Sequence, residues 1–150
     1  MLRNVTHIHL DSVLFDSTLD ACINLPRLTH LGMTHRIYSS NLVSDDNFVR
    51  LTCRALSTGR SLEMVFIHLF HIELGSNMRF GGAILPELVR IEDERLLVRP
   101  SLGDGGYKAL LETGIAIWDD ARLKFGDWRS WHVSRCCLNI RDMVVHDSNT

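Results

Sequence analysis

Residues 5–10 read VTHIHL, with Val5, Ile8 and Leu10 as the apolar positions and His7 and His9 two apart between them. Two histidines at this spacing suit either half of a metal site or one strand of something repeated. The same apolar spacing returns in LTHLGM (28–33) as Leu28, Leu31 and Met33, and in LEMVFI (62–67) as Leu62, Val65 and Ile67. A weaker copy is DERLLV (93–98), where Leu96 and Val98 fit and Asp93 replaces the leading apolar residue. The copies start at 5, 28, 62 and 93, at intervals of 23, 34 and 31 residues. Self-similarity of this kind outranks any single motif in deciding a fold.

The spacing has a physical meaning. Positions four and six of each hexamer are two apart, so in a strand they point to one face. Position one anchors the turn that enters the strand. A strand this short buries nothing alone, and stacking copies side by side gives a parallel sheet that needs crossover segments. The crossovers read as helices. DSTLDACINLP (16–26) opens with Asp16 and Ser17, places Leu19, Cys22 and Ile23 on one face, and stops at Pro26. SDDNFVRLTCRALSTG (44–59) offers Ser44 as a cap, Asp45 and Asp46 at the start and Gly59 at the end, around a stripe of Phe48, Leu51, Ala55 and Leu56. YKALLETGIAIWDDARLKFG (107–126) keeps helical spacing from Tyr107 to Phe125. The glycines in 70–92 mark loop and turn. The expected fold is α/β: a short, curved, leucine-rich-repeat-like solenoid over 1–126, a mostly parallel sheet with helices on its convex side, followed by an extension over 127–150.

Bulk properties limit the function classes. The chain has 150 residues, a net charge of −2 and 45% hydrophobic residues. No basic excess draws a phosphate backbone, so nucleic acid is not an expected partner. No run approaches the ~20 apolar residues of a bilayer span, the best being MVFIHLF (64–70). No secretory signal is visible, and Cys22, Cys53, Cys136 and Cys137 lack C-x-x-C spacing, which points to reduced thiols in a cytoplasmic or nuclear protein.

In this register Ile8 and Leu10 face the helices and His7 and His9 face the other way. His30 occupies in the second copy the position of His7, and neighbouring strands lie ~4.8 Å apart. Three imidazoles are then close enough to suggest a metal-dependent enzyme, since neutral imidazole is a common zinc ligand. Met64 and Phe66 hold the outward positions of the third strand, and Arg95, Leu97 and Arg99 those of the fourth. Nothing else carries recognisable chemistry: GDGG (103–106) has no following Lys-Ser/Thr, no G-x-S-x-G elbow is present, and no cofactor is implied. His132 and the Cys136–Cys137 pair have no basic cluster to make a reactive thiolate. The leading expectation is a non-enzymatic protein-interaction module contacting its partner through His7, His9, His30, Met64, Phe66, His68 and Arg95. Histidine, aromatic and arginine side chains are common in such contacts.

The runs LPRLTHLGM (25–33), LSTGRSLEMVFIHLF (56–70) and EDERLLVRP (92–100), with a helix around GIAIWDDA (114–121), add a resemblance. Together they are similar to the C-terminal half of F-box-like, leucine-rich-repeat proteins of mushroom-forming fungi. It covers residues 2–125 and is carried by apolar spacing with Asp93, Arg95 and Trp118. It implies the substrate-recognition part of a cullin-type ubiquitin ligase. The F-box is missing: LPELVRI (85–91) sounds like its opening but sits between two repeat strands. The first strand starts close to Met1 without a capping segment, so the chain reads as the trailing part of a longer repeat protein or a shortened product with no activity of its own.

Overall fold

A computed structural model describes residues 3–11, 16–37, 42–71, 82–102 and 128–129. The elements in chain order are β1 (His7–Leu10), α1 (Asp16–Ile23), β2 (His30–Ile37), α2 (Leu42–Thr58), β3 (Met64–His71), α3 (Ile84–Val89) and β4 (Leu96–Leu102). The four strands form one parallel sheet in the order β1-β2-β3-β4.

The hexamers stack in register. Ile8, Leu31, Val65 and Leu96 form one row across the sheet, and Leu10, Met33, Ile67 and Val98 form the next. Position two of the first and second copies makes the same link. The Thr6 carbonyl accepts from the Thr29 and His30 N–H groups at 2.9 and 3.0 Å, and the Thr29 carbonyl accepts from Glu63 and Met64 at 2.8 and 3.2 Å. Leu28 and Leu62, the leading residues of the second and third copies, are buried where the chain turns into its strand. In the fourth copy a polar turn does that work: the Asp93 carboxylate accepts from the Arg95 N–H at 3.0 Å.

The helices form a layer against one face. Leu19 of α1, Phe48, Leu51, Ala55 and Leu56 of α2, and Ile84, Leu85 and Leu88 of α3 join Leu31, Met33, Val65, Ile67, Leu69, Leu96 and Val98 in one core. Each fully buried leucine or isoleucine in it is worth about 1.5–3 kcal/mol relative to exposure. On the outer side of that layer Arg50 and Arg54 of α2 hold Asp16 and Asp20 of α1 at 2.7–3.2 Å. β3, paired on both sides, is buried along its whole length. That is the pattern of an internal parallel strand, and the reason MVFIHLF is the most apolar run of the chain.

Two element readings change. The stretch 70–92, read as loop and turn, contains α3; Pro86 is its third residue, inside the first turn, where a missing N–H costs nothing. α2 begins at Leu42, so Ser44 lies within its first turn and not ahead of it. The helix expected over 107–126, GDGG (103–106), Cys136–Cys137 and most of the 127–150 extension lie outside the described residues.

Candidate contact face of the sheet

The two TH dipeptides build the same small unit twice. Thr6 Oγ1 shares a 2.8 Å hydrogen bond with His7 Nδ1, and Thr29 Oγ1 shares one of 2.8 Å with His30 Nδ1. Each hydroxyl fixes the ring of the histidine that follows it. In-register pairing of His7 with His30 then lays the rings on one another, centroids 4.2 Å apart and planes 17° from parallel. His9 leans the other way: its Nε2 shares a 2.8 Å hydrogen bond with Thr34 Oγ1, two residues beyond its register partner Gly32. Burial lowers the pKa of His9, and the carboxylate of Asp11 opposes that shift.

This geometry answers the question posed by VTHIHL. A metal sits in the plane of each imidazole that binds it, and two near-parallel stacked rings share no such point. His7 and His30 are therefore held as rungs of a ladder. Among the described residues no group of three His, Cys, Asp or Glu side chains is placed to hold a metal ion.

The contact face expected from the sequence narrows. His7, His9 and His30 lie together at the β1–β2 end of the sheet, all half-buried. Met64, Phe66 and His68 continue the same rows but are 2%, 0% and 0% exposed. They are enclosed and present no surface to a partner. Burial, then the nearby positive charge of Arg99, pushes the His68 pKa down to about 4; burial alone takes His71, on the helix side, to about 4. Both rings are neutral at pH 7.

Arg95 departs most from expectation. It precedes β4, and its guanidinium turns away from the face toward the end of α2. There it donates to the carbonyls of Leu56 at 2.7 Å, Gly59 at 3.3 Å and Leu62 at 3.4 Å, and grips Asp93 at 2.7 and 2.9 Å. The guanidinium beside it holds the Asp93 carboxyl below its usual range. A planar fork of donors suits the Leu56 carbonyl, in the last turn of α2 and without a partner in the helix, together with the turn carbonyls of Gly59 and Leu62. Arg95 joins α2, β3 and β4 and is a structural clamp.

Two arrangements were missed in the sequence. His35 of β2 faces α2, donating from Nε2 to Asp45 Oδ1 at 2.7 Å while its ring tilts against Phe48 at 4.5 Å. It occupies an aliphatic position in the alternation, and only the pairing of strand with helix supplies its carboxylate. Arg36 holds Asp11 at 2.7 Å beyond the β1–β2 histidines. Cys22 and Cys53 are free thiols, and no helix among the described residues is long and apolar enough to cross a membrane. No family model matches the chain, and no curated protein or solved structure was found to be similar to it.

Proposed function

We propose that this chain is a non-enzymatic protein-interaction module, a short leucine-rich-repeat-like stack of the kind that recognises substrates in F-box-like ubiquitin-ligase subunits. The observation that supports this reading is the in-register repetition of one hexamer on successive rungs, with helices on one side and a repeated Thr–His unit on the other. A ladder of like rungs presents side chains at fixed spacing on a rigid face, which lowers the ordering cost of binding an extended segment. The contact residues in this reading are His7, His9 and His30. Their partner supplies carboxylates or other hydrogen-bonding groups to the imidazole edges. Met64, Phe66 and His68 continue the same rows on β3 but are enclosed.

The test is capture of binding proteins by the immobilised full chain, compared with a variant carrying His7→Ser and His30→Ser. The variant keeps the wild-type circular dichroism and loses the captured proteins by at least about tenfold, the effect of removing central contact residues. A captured set that includes a cullin adaptor would extend the reading to a ligase. Capture unaffected by the two substitutions would refute the assignment of this face.

A further inference from the structure

Trp128 and Arg129 close on the turn that leads into β4. The turn spans 93–96: Leu96 N–H donates to the Asp93 carbonyl at 3.1 Å, and the Asp93 carboxylate accepts from Arg95 N–H at 3.0 Å. The Trp128 indole N–H donates to the Leu96 carbonyl at 2.9 Å. One terminal nitrogen of Arg129 donates to the carbonyls of Ile91 at 2.9 Å and Asp93 at 2.8 Å. The Arg129 guanidinium lies 4.6 Å over the Trp128 ring, and that ring is buried as part of the core. On the same turn the Arg95 guanidinium grips the Asp93 carboxylate and reaches on to the carbonyls of Leu56, Gly59 and Leu62. Asp93 is thus shared, its carboxylate going to Arg95 and its carbonyl to Arg129. Its carboxyl is held below the usual range first by Arg95, with the charge of Arg129 adding to the effect.

We propose that Trp128 and Arg129 are a strap that holds the Arg95 clamp closed through Asp93, so that the turn before β4 and the end of α2 open as one unit. The link runs through shared atoms. The Asp93 carbonyl receives both Leu96 N–H and Arg129, so the strap and the turn meet at one oxygen. The turn fixes where Asp93 presents its carboxylate, which takes Nε and a terminal nitrogen of Arg95 at 2.9 and 2.7 Å. A guanidinium is a rigid plane, so tilting it at Asp93 draws its other donors away from Leu56, Gly59 and Leu62. Those carbonyls stand where α2 ends and the chain turns into β3, with Gly59 N–H bonded to Ala55 and Leu62 N–H bonded to Gly59. Groups joined in one hydrogen-bond network respond together when one member is removed. Anything that draws Trp128 and Arg129 off the turn therefore loosens the joint between α2 and β3. The inference goes beyond the reading above: it concerns the far side of the sheet from β1, whereas the proposed protein-binding face bears the imidazoles of β1 and β2.

The experiment is native-state hydrogen exchange of the full chain, read by nuclear magnetic resonance. The amides followed are Arg95 and Leu96 in the turn and Gly59 and Leu62 at the end of α2, with the His30 amide, bonded to Thr6, as the reference. In wild type the four amides are expected to share one opening equilibrium, equal within about fivefold, as members of one cooperative unit do. Arg129→Ala is expected to raise the opening of all four by about tenfold, and Trp128→Phe, which keeps a ring but not the donor, by about threefold. The His30 amide is expected to stay unchanged in both. A rise in Arg129→Ala that is confined to Arg95 and Leu96 overturns the proposal. So does a rise of equal size at His30, which marks a general loss of stability. If neither variant folds, the wild-type comparison decides: a wider spread among the four amides overturns the proposal, and a shared opening upholds it.

Discussion

His68 and His71 show what one buried ring costs this protein. Their pKa falls from 6.5 to about 4 because the imidazolium has lost its water, with Arg99 adding repulsion at His68. The unfolded chain takes up protons as pH drops below 6.5 while the folded chain does not. Stability is therefore full above the unfolded value, declines between 6.5 and about 4, and levels off below the folded value. Each histidine accounts for about 3 kcal/mol over that window. Urea denaturation at pH 7 and pH 4.5 is expected to show a large fall in the midpoint, and His71→Leu should reduce the fall by roughly half. At Arg95 the relevant property is shape. Arg95→Lys keeps the charge but cannot reach three carbonyls and a carboxylate together. It is expected to lose about 2 kcal/mol in urea denaturation, most of the cost of stranding those acceptors.

At the scale of elements, the end of α2 depends on the absence of a side chain. A Cβ on Gly59 would stand 2.6 Å from the Ala55 carbonyl oxygen and 2.4 Å from Leu62 Cδ1. The chain turns there from helix into β3, with Gly59 N–H bonded to Ala55 and Leu62 N–H bonded to Gly59. Gly59→Ala should cost about 1–3 kcal/mol by crowding, read as a lower melting temperature. Gly82 is limited in a second way: its φ is +62°, and a Cβ would meet Ile37 Cγ2 at 3.0 Å. The helix stripes were legible, since Leu19, Phe48, Leu51, Ala55 and Leu56 are all buried. α3 was not legible, because six residues with a proline among them carry too little periodicity.

Over the whole molecule, stability is graded across the sheet. Among the described residues β3 is paired on both sides and fully buried, whereas β1 is paired with β2 alone and half-buried. Hydrogen exchange should find the β3 amides protected to the level of global unfolding, with Ile8 and Leu10 of β1 exchanging through smaller openings.

The sequence by itself determined the ladder. Apolar residues at positions one, four and six, repeated with helical stretches between, admit one economical burial, and Ile8, Leu31, Val65 and Leu96 do form a single row. That pattern is local, and alternation along a strand carries it without knowledge of neighbours. Which outward residues stay accessible was decided only by tertiary structure. Met64 and Phe66 continue the rows of the half-buried His30 and His9 yet are enclosed, and Arg95 turns back to the end of α2. Alternation names the face a side chain leaves by; burial and hydrogen-bond partners depend on what the rest of the chain brings to that face.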